Sequence, residues 1–338
     1  METSRTTTNA FITKTPTSTA HAGAGSLQLT SYTPSALPAA RRASSADRYA
    51  ETKLTTLENQ VKFSATNVPK LQFTKEWQYI CSPNIWQGEQ VAFWKSGSFG
   101  PEDIISTRAY YIAHVETTAV NTRKRGEKDE KMVITKSTTD TQVKTSGWTI
   151  GAKASGTGGK KDVASATVEI SGSYSNTQSD TSSRTTTVSR EDYCPPRHEC
   201  LIETWTFHLE VEAKATLYSN WQLWALGYGY DEERHICDME PYLRDCEQFT
   251  MRYDEWCDPN QSRVNSAGNF EWNLQTREEI VKTNIPVYEE NGYQPMSRIV
   301  LVLNPIDSDA PMPILGKERT KEGIAQAIQA GTEFKFLD

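Results

Sequence analysis

No stretch of this chain comes near the roughly 18 consecutive apolar residues that a membrane-spanning helix needs, and its mean hydropathy is -0.62. Entry into a membrane would therefore have to use strands, and strands in lipid satisfy their backbone groups only as a closed barrel. A basic excess is lacking as well. The 338 residues carry 36 Lys and Arg against 43 Asp and Glu, a formal charge of -7. That is a poor footing for gripping a phosphate backbone, so nucleic acid is not an expected partner. Hydrophobic residues make up only 36%, low for a closely packed globule, although the length permits two or more domains. Catalytic signatures are missing too. There is no GxSxG, P-loop or HExxH, and no GxGxxG in a strand–helix frame. The five histidines, His21, His114, His198, His208 and His235, are scattered. No cofactor is implied, and the protein is not expected to be an enzyme.

The six cysteines are Cys81, Cys194, Cys200, Cys237, Cys246 and Cys257. They lack the CxxC spacing of structural zinc sites, so no metal site is expected. An even count permits disulfides without proving an oxidising compartment. Cys194 and Cys200 flank PPRHE and are the disulfide candidates, closing a short loop.

Residues 1–48 are rich in Ser, Thr and Ala with scattered Pro and Gly, and read as a disordered tail or removable pro-segment. Arg41-Arg42 would be its exposed cleavage point. The tail has no apolar core of a secretory signal. A short helix is expected around Thr52–Gln60. Leu71–Phe99 and Asn220–Trp256 are aromatic-rich, and 49–106 with 220–262 are expected to form one head, or receptor-binding, region. Trp77, Trp86, Trp94, Trp221 and Trp224 are its candidates for contact with a glycan receptor or lipid headgroups; core packing is the competing role for each. Ile104–Asn121 alternates, setting Ala109, Tyr111, Ala113 and Val115 against Arg108, His114 and Glu116. The charged run RKRGEKDEK after it is either a solvated tip or a protease-sensitive activation loop. Leu201–Leu217 is the most regular strand, with Trp205, Phe207, Leu209, Val211, Ala213, Ala215 and Leu217 on one side. At about 3.3 Å per residue it spans on the order of 55 Å, against about 17–20 Å for an ordinary strand. A rod-like, mainly β domain is expected. Further strands are expected in Asn269–Tyr288 and Ser297–Asn304, and an amphipathic helix over Lys321–Ala330, stopped by Gly331.

Thr135–Arg190 is the most telling stretch. About two residues in five are Ser or Thr, and no proline interrupts it. At its centre lie two alternating arms. Trp148, Ile150, Ala152 and Ala154 fall on one side of the first. Ala164, Ala166, Val168, Ile170 and Tyr174 fall on one side of the second. Lys153, Ser155, Thr167 and Glu169 occupy the other face, and the turn GTGGKKD places Lys160, Lys161 and Asp162 at the tip. Side chains alternate across a strand, so with Ala154 opposite Ala164 both apolar sets share a face. That face is thin for a soluble core. Trp148–Gly156 and Val163–Tyr174 have the roughly 9–11 residues of a membrane-spanning β-strand, with aromatics at the open ends. A Ser/Thr-rich surface hairpin or a mucin-like linker is the plain alternative, though a linker would not hold the alternation in phase through both arms.

A Ser/Thr-rich strand, an amphipathic hairpin, a second Ser/Thr-rich strand, a Pro-Pro turn and a long alternating strand follow one another here. The text is TTDTQVKTSGWTIGAKASG, then VEISGSYSNTQSDTSSRTTTVS, then CPPRHECLIETWTFHLEVEAKATL. This order resembles the aerolysin-like β-pore-forming toxins, in particular the epsilon-toxin and mosquitocidal-toxin group, over about Thr107–Leu226. The resemblance implies an elongated antiparallel β-sheet rod with an aromatic-rich head and a disordered N-terminal tail. It assigns 107–219 with 263–316 to the pore-forming domain, 147–175 to its insertion hairpin, and 317–338 to a C-terminal helix and tail. It implies a soluble, secreted monomer, with cytoplasmic storage compatible with the missing signal. The monomer would bind a glycan or protein receptor on a target-cell membrane, form a homo-oligomer and pool its hairpins into a transmembrane barrel. Lys153, Ser155, Thr167 and Glu169 would then line the lumen and the apolar set would face lipid. The hydrophilic tip and the cysteine count depart from that group. The Trp and Tyr content also fits a carbohydrate-binding, lectin-like β-protein without pore activity.

Overall fold

Long alternating strands leave a row of amide groups on each edge, and the fold is settled by what pairs with those rows. The computed structural model describes residues 47–71, 76–79, 90–155, 167–174, 182–222, 233–235, 251, 256–264, 270–274, 277–306 and 316–337. All of them belong to the unit Arg41–Asp338. The chain is mainly β. Its described helices are α1 (Asp47–Asn59) and α2 (Lys321–Gln329). The strands are β1 (Val61–Phe63), β2 (Lys70–Leu71), β3 (Glu76–Tyr79), β4 (Gln90–Ser98), β5 (Ile104–Asn121), β6 (Glu130–Thr141), β7 (Trp148–Thr149), β8 (Gly151–Ser155) and β9 (Thr167–Ser171). They continue with β10 (Ser182–Cys194), β11 (His198–Gln222), β12 (Glu233–His235), β13 (Cys257–Val264), β14 (Phe270–Leu274), β15 (Arg277–Tyr288), β16 (Ser297–Pro305), β17 (Glu318–Arg319) and β18 (Glu333–Phe336).

Strand β11 is the axis. The regular alternation read over Leu201–Leu217 extends at both ends to 25 residues, on the order of 80 Å of extended chain. One edge pairs with β5 from His198 to Ala213 and then with β4 from Thr216 to Gln222. The other pairs in turn with β16, β15 and β12. Every one of these pairings is antiparallel.

The two faces of β11 go to different layers. Trp205, Phe207, Leu209, Val211, Ala213, Ala215 and Leu217 enter the main core, together with Leu54 and Leu57 of α1, Ile324 and Ala327 of α2, and Phe334 of β18. Trp205 meets Phe334 edge-on at 5.4 Å and Tyr111 at a tilt at 4.8 Å. The opposite face is covered by a separate two-stranded ribbon, β6 with β10. A second core seals one end of that ribbon: Met132 and Ile134 pack with Cys194, Cys200, Ile202, Ile299 and Leu301.

The C-terminal segment is structural. The hydroxyl of Thr320 caps α2, accepting the Gly323 amide at 3.2 Å, and the helix stops at Gly331, whose φ of +97° suits glycine. Strand β17 pairs with β5 and β18 with β16.

Alongside its antiparallel pairs the sheet contains two short parallel ones, β8 on β15 and β1 on β9. A parallel pair needs a long crossover between its strands. More than a hundred residues separate β8 from β15, and more than a hundred separate β1 from β9.

Candidate functional site

Ribbon β6/β10 is held by its own Ser and Thr side chains as much as by its ladder. Thr141 lies opposite Ser182, Thr138 opposite Thr185 and Ser137 opposite Thr186. The hydroxyls of Thr141 and Ser182 meet at 2.7 Å, and Thr139 donates to the Arg184 carbonyl at 3.1 Å. Because Thr141 and Ser182 are partners, residues 142–181 form an excursion closed at its base. It carries β7, β8 and β9, the hairpin singled out in the sequence.

Strands β8 and β9 are antiparallel neighbours, with Ala152 opposite Ile170 and Ala154 opposite Val168. The expected partner of Ala154 was Ala164; the observed one lies four residues further on. An even shift leaves every side chain on its face, so the single apolar face survives. Ile150, Ala152, Ala154, Val168 and Ile170 are at most 2% exposed, and Trp148 is 6% exposed. All six belong to the main core. The described ladder pairs five residues of each arm, and the tip side of both arms lies outside the described residues. Trp148 leaves the hairpin to pair with Leu71 of β2, and its ring packs at 5.1 Å on Phe99. In this fold it is a core residue.

The polar face holds Lys153 opposite Glu169 and Ser155 opposite Thr167, as the alternation requires. Tyr174 belongs with this face and not with the apolar set. Gly172–Tyr174 turns as a single 3-10 turn, which breaks the alternation. The Tyr174 hydroxyl donates to Glu169 at 2.9 Å, and the Lys153 ammonium lies 5.7 Å from its ring. The hydrogen bond to Glu169 raises the Tyr174 pKa above its usual 10.0. Ala164, Ala166, Lys160, Lys161 and Asp162 lie outside the described residues.

Where the ribbon crosses the sheet, its contacts are polar and buried. In the β5–β11 register Ile202 faces Thr117 and Glu203 faces Val115, which leaves Glu116 as the extra residue of a β-bulge. The bulge aims Glu116 at the ribbon. Its carboxylate accepts the Thr138 amide and, at 2.7 Å, the Thr204 hydroxyl. Ser137 and Thr204 share a hydrogen bond at 2.9 Å. Asp140 lies 3.0 Å from His114 and accepts from Ser183 at 2.6 Å. Burial pushes the Asp140 carboxyl upward, but the Ser183 and His114 hydrogen bonds outweigh it and hold it below its usual 3.8.

His208 of β11 lies under the point where the chain leaves β6. It is fully buried. Its Nε2 accepts the Gln142 amide at 3.1 Å, so the ring is neutral and its Nδ1–H donates to the Thr206 carbonyl at 3.0 Å. Burial lowers its pKa from 6.5 to about 4, with the Thr206 carbonyl working the other way. These groups form a polar latch of hydroxyls, two carboxylates and two imidazoles. Sequence reasoning placed His114, Glu116 and His208 on strands and left them there. The signal available was their phase, since all fall on the non-core side of β5 or β11, facing a run of hydroxyls in β6.

Cys194 and Cys200 are joined, with Cα atoms 5.8 Å apart, across the turn from β10 into β11. Cys257 is also disulfide-bonded. Among the tryptophans, Trp94 is 3% exposed, so its indole is spent on packing and does not present a surface for receptor or lipid. Trp77 and Trp221 lie on β3 and β11, each one strand away from β4. Trp86 and Trp224, and the Arg41-Arg42 step, lie outside the described residues. The charged run after β5 is an exposed turn with Gly126 at φ +88°. Among the described residues no group of three or more His, Cys, Asp or Glu is placed to hold a metal ion.

No protein-family model matches the chain, and no curated protein does. Several solved structures are similar at low level. The parasporin-2 Bacillus thuringiensis toxin that recognizes cancer cells is 10% identical, covering 57% of this chain and 69% of its own, with a TM-score of 0.14. The Mpp75Aa1.1 beta-pore-forming protein from Brevibacillus laterosporus is 12% identical, covering 72% and 85%, with a TM-score of 0.16. A chain of the Cry23Aa1 and Cry37Aa1 binary complex is 14% identical, covering 63% and 83%, with a TM-score of 0.13. TM-scores this low do not by themselves establish a shared fold.

Proposed function

We propose that this protein forms pores: a soluble form binds a target-cell membrane, assembles with copies of itself and contributes hairpin 147–175 to a shared transmembrane β-barrel. One observation carries the reading. The excursion closed by Thr141 and Ser182 holds a hairpin with one apolar and one polar face, suspended from a Ser/Thr-rich ribbon with no further strand partner on either edge among the described residues. Unpaired ribbon edges are templates for neighbouring chains, and only a ring of them leaves no edge in lipid. In the barrel Trp148, Ile150, Ala152, Ala154, Val168 and Ile170 exchange the protein core for lipid. Lys153, Ser155, Thr167 and Glu169 keep their water on the lumen side. No catalytic step is involved.

The test is a reversible tether. Lys62 and Glu169 are register partners on the parallel pair β1/β9, so Lys62→Cys with Glu169→Cys ties the hairpin to the body at a polar position. The oxidised double variant should bind liposomes made from target-cell lipid and release no entrapped dye. Reductant should restore release, with wild-type protein given the same reductant as control. Equal release by the oxidised and reduced forms removes this hairpin from the mechanism. Wild-type glycan binding with no leakage under any condition replaces pore formation with the lectin-like reading.

A further inference from the structure

Ribbon β6/β10 is joined to the sheet at one end by two covalent links, and the two are built differently. Asn121, the last residue of β5, is the register partner of His198 at the start of β11. Glu130 at the start of β6 is the partner of Cys194 at the end of β10. The turn from β5 into β6 and the turn from β10 into β11 therefore lie together at this end. The hairpin lies at the other.

The β10–β11 link is clamped. The Cys194–Cys200 disulfide closes it. Buried Asn121 donates its side-chain amide to the Cys194 carbonyl at 2.9 Å, and its own carbonyl accepts the Arg197 amide at 2.7 Å. The Arg197 carbonyl in turn accepts the Ile306 amide at 2.9 Å, which fixes the turn to the end of β16.

The β5–β6 link is the reverse. Residues 122–131 are all exposed, and none of their side chains enters either core. This link carries the chain's one run of three basic residues, Arg123-Lys124-Arg125, followed by Gly126. The φ of +88° at Gly126 suits glycine, and a side chain added there would meet nothing within 4 Å. The bonds that shape the turn are local. The Glu127 amide donates to the Lys124 carbonyl at 3.0 Å, the Lys124 amide to the Glu127 carboxylate at 3.3 Å, and the Arg123 guanidinium to the Lys128 carbonyl at 2.9 Å. Bonds confined to an exposed turn open without unfolding the strands beside it, and such tips are where chains are nicked. Endopeptidases with a carboxylate in their specificity pocket take Lys or Arg on the acyl side of the bond they cut.

We infer that Arg125–Gly126 is a processing site for a serine endopeptidase of that basic specificity, and that the cut turns the ribbon into an arm hung from its disulfide-clamped link alone. Water is the co-reactant. The protease serine takes the Arg125 carbonyl carbon as an acyl group, and the Gly126 nitrogen leaves as an amine with the proton the serine gave up. Water then releases Arg125 as a carboxylate. Both pieces keep their places: β5 stays paired with β11 and β17, β6 stays paired with β10, and Met132 and Ile134 stay in the second core. The site goes beyond the pore reading and does not depend on it, since its test reads no leakage.

The full chain is treated with trypsin under native conditions. N-terminal sequencing should find a piece beginning at Gly126, separated from the β5 piece on a reducing denaturing gel and still bound to it in size exclusion. Amide exchange at Met132 and Ile134 should be about tenfold faster in the cut protein, because one of the two tethers is gone. Exchange at Tyr111 and Ala113 of β5 should not change. Arg123→Gln with Lys124→Gln and Arg125→Gln alters only exposed side chains; it should abolish this cut and keep exchange slow after the same treatment. An Arg125–Gly126 bond that survives in the native chain, where the same trypsin cuts it in the urea-unfolded one, leaves the run a solvated tip and overturns the inference. So does a cut that lets the pieces part, or one after which Met132 and Ile134 exchange no faster than in the treated triple variant.

Discussion

Glu203 carries a charge into the core. It is 1% exposed, and Arg319, its partner across the sheet at 2.6 Å, is 5% exposed. A second guanidinium bond at 3.3 Å and the Trp205 indole N–H at 2.6 Å complete the carboxylate's partners. The alternation of β11 would place a greasy residue here; a buried carboxylate is tolerated because each oxygen is satisfied. Arg319→Met leaves that charge alone and should cost about 3–5 kcal/mol in urea unfolding. Adding Glu203→Gln keeps an acceptor for Trp205 and should recover most of the loss. A double variant no more stable than the single one would mean the cost lies in packing and not in the stranded charge. Ile170, fully buried between β8 and β1, is the simpler case. Ile170→Ala should cost about 2–5 kcal/mol by cavity formation, read in the same assay.

The ribbon is the element whose attachment depends on proton uptake. His208 is neutral in the fold with a pKa of about 4, against 6.5 when free. The unfolded chain therefore binds a proton first as pH falls, and stability declines between about 6.5 and 4. The shift of some 2.5 units bounds the effect at about 3 kcal/mol. Asp140 is lowered, so its contribution is intact above its free value and is lost only below that, as pH falls through its depressed folded value. Both losses run in the acid direction, one after the other, and both act where β6 lies on the sheet. Amide exchange in Glu130–Thr141 should accelerate between pH 7 and pH 4 before exchange in the centre of β11 does. His208→Gln, which does not titrate, should flatten the first part of that profile. Uniform acceleration of both strands would place the titration elsewhere. The Cys194–Cys200 bond ties the other end of the ribbon to β11. A loop this short gains about 2 kcal/mol on closure in the chain-entropy picture, so Cys194→Ser with Cys200→Ser should lower Tm by a few degrees and loosen Ser182–Cys194 most.

For the molecule to release its hairpin, the main core has to open. Trp148, Ile150, Val168 and Ile170 are large, buried and shared with α1 and β11. At about 1.5–3 kcal/mol for each large side chain, exposing these four costs about 6–12 kcal/mol, comparable to the whole stability of a domain. Release is therefore thermodynamically tied to a destination, lipid or a neighbouring chain, that accepts the same surface. The C-terminal segment lies on the same ledger. It supplies β17, α2 and β18, Phe334 packs on Trp205, and Lys321 bridges to Glu58 of α1 at 2.6 Å. A chain cut after Gly316 should be less soluble and lose its cooperative unfolding transition. A folded and more active product would instead make the segment a removable brake.

Much of this could be read from local pattern. Side-chain period along a strand depends only on the chain's own geometry, so the core face of β11, the single apolar face of β8 and β9, the stop of α2 at Gly331 and the short Cys194–Cys200 loop needed no knowledge of neighbours. Which layer covers a face is a different kind of fact. Thr204, Thr206 and His208 alternate with core residues just as solvent-facing residues do, yet they are fully buried. Ser137 of the Ser/Thr-rich ribbon hydrogen-bonds Thr204, and Gln142 just past its end hydrogen-bonds His208, each from more than sixty residues away in the chain. The parallel seat of β8 on β15, the even register shift that moved Ala154 to Val168, and the burial of Trp94 are likewise contacts between distant segments. Amphipathicity records that a strand has two unlike sides; only the packed chain decides whether the polar side meets water or a second polar surface, because either one satisfies the same donors and acceptors.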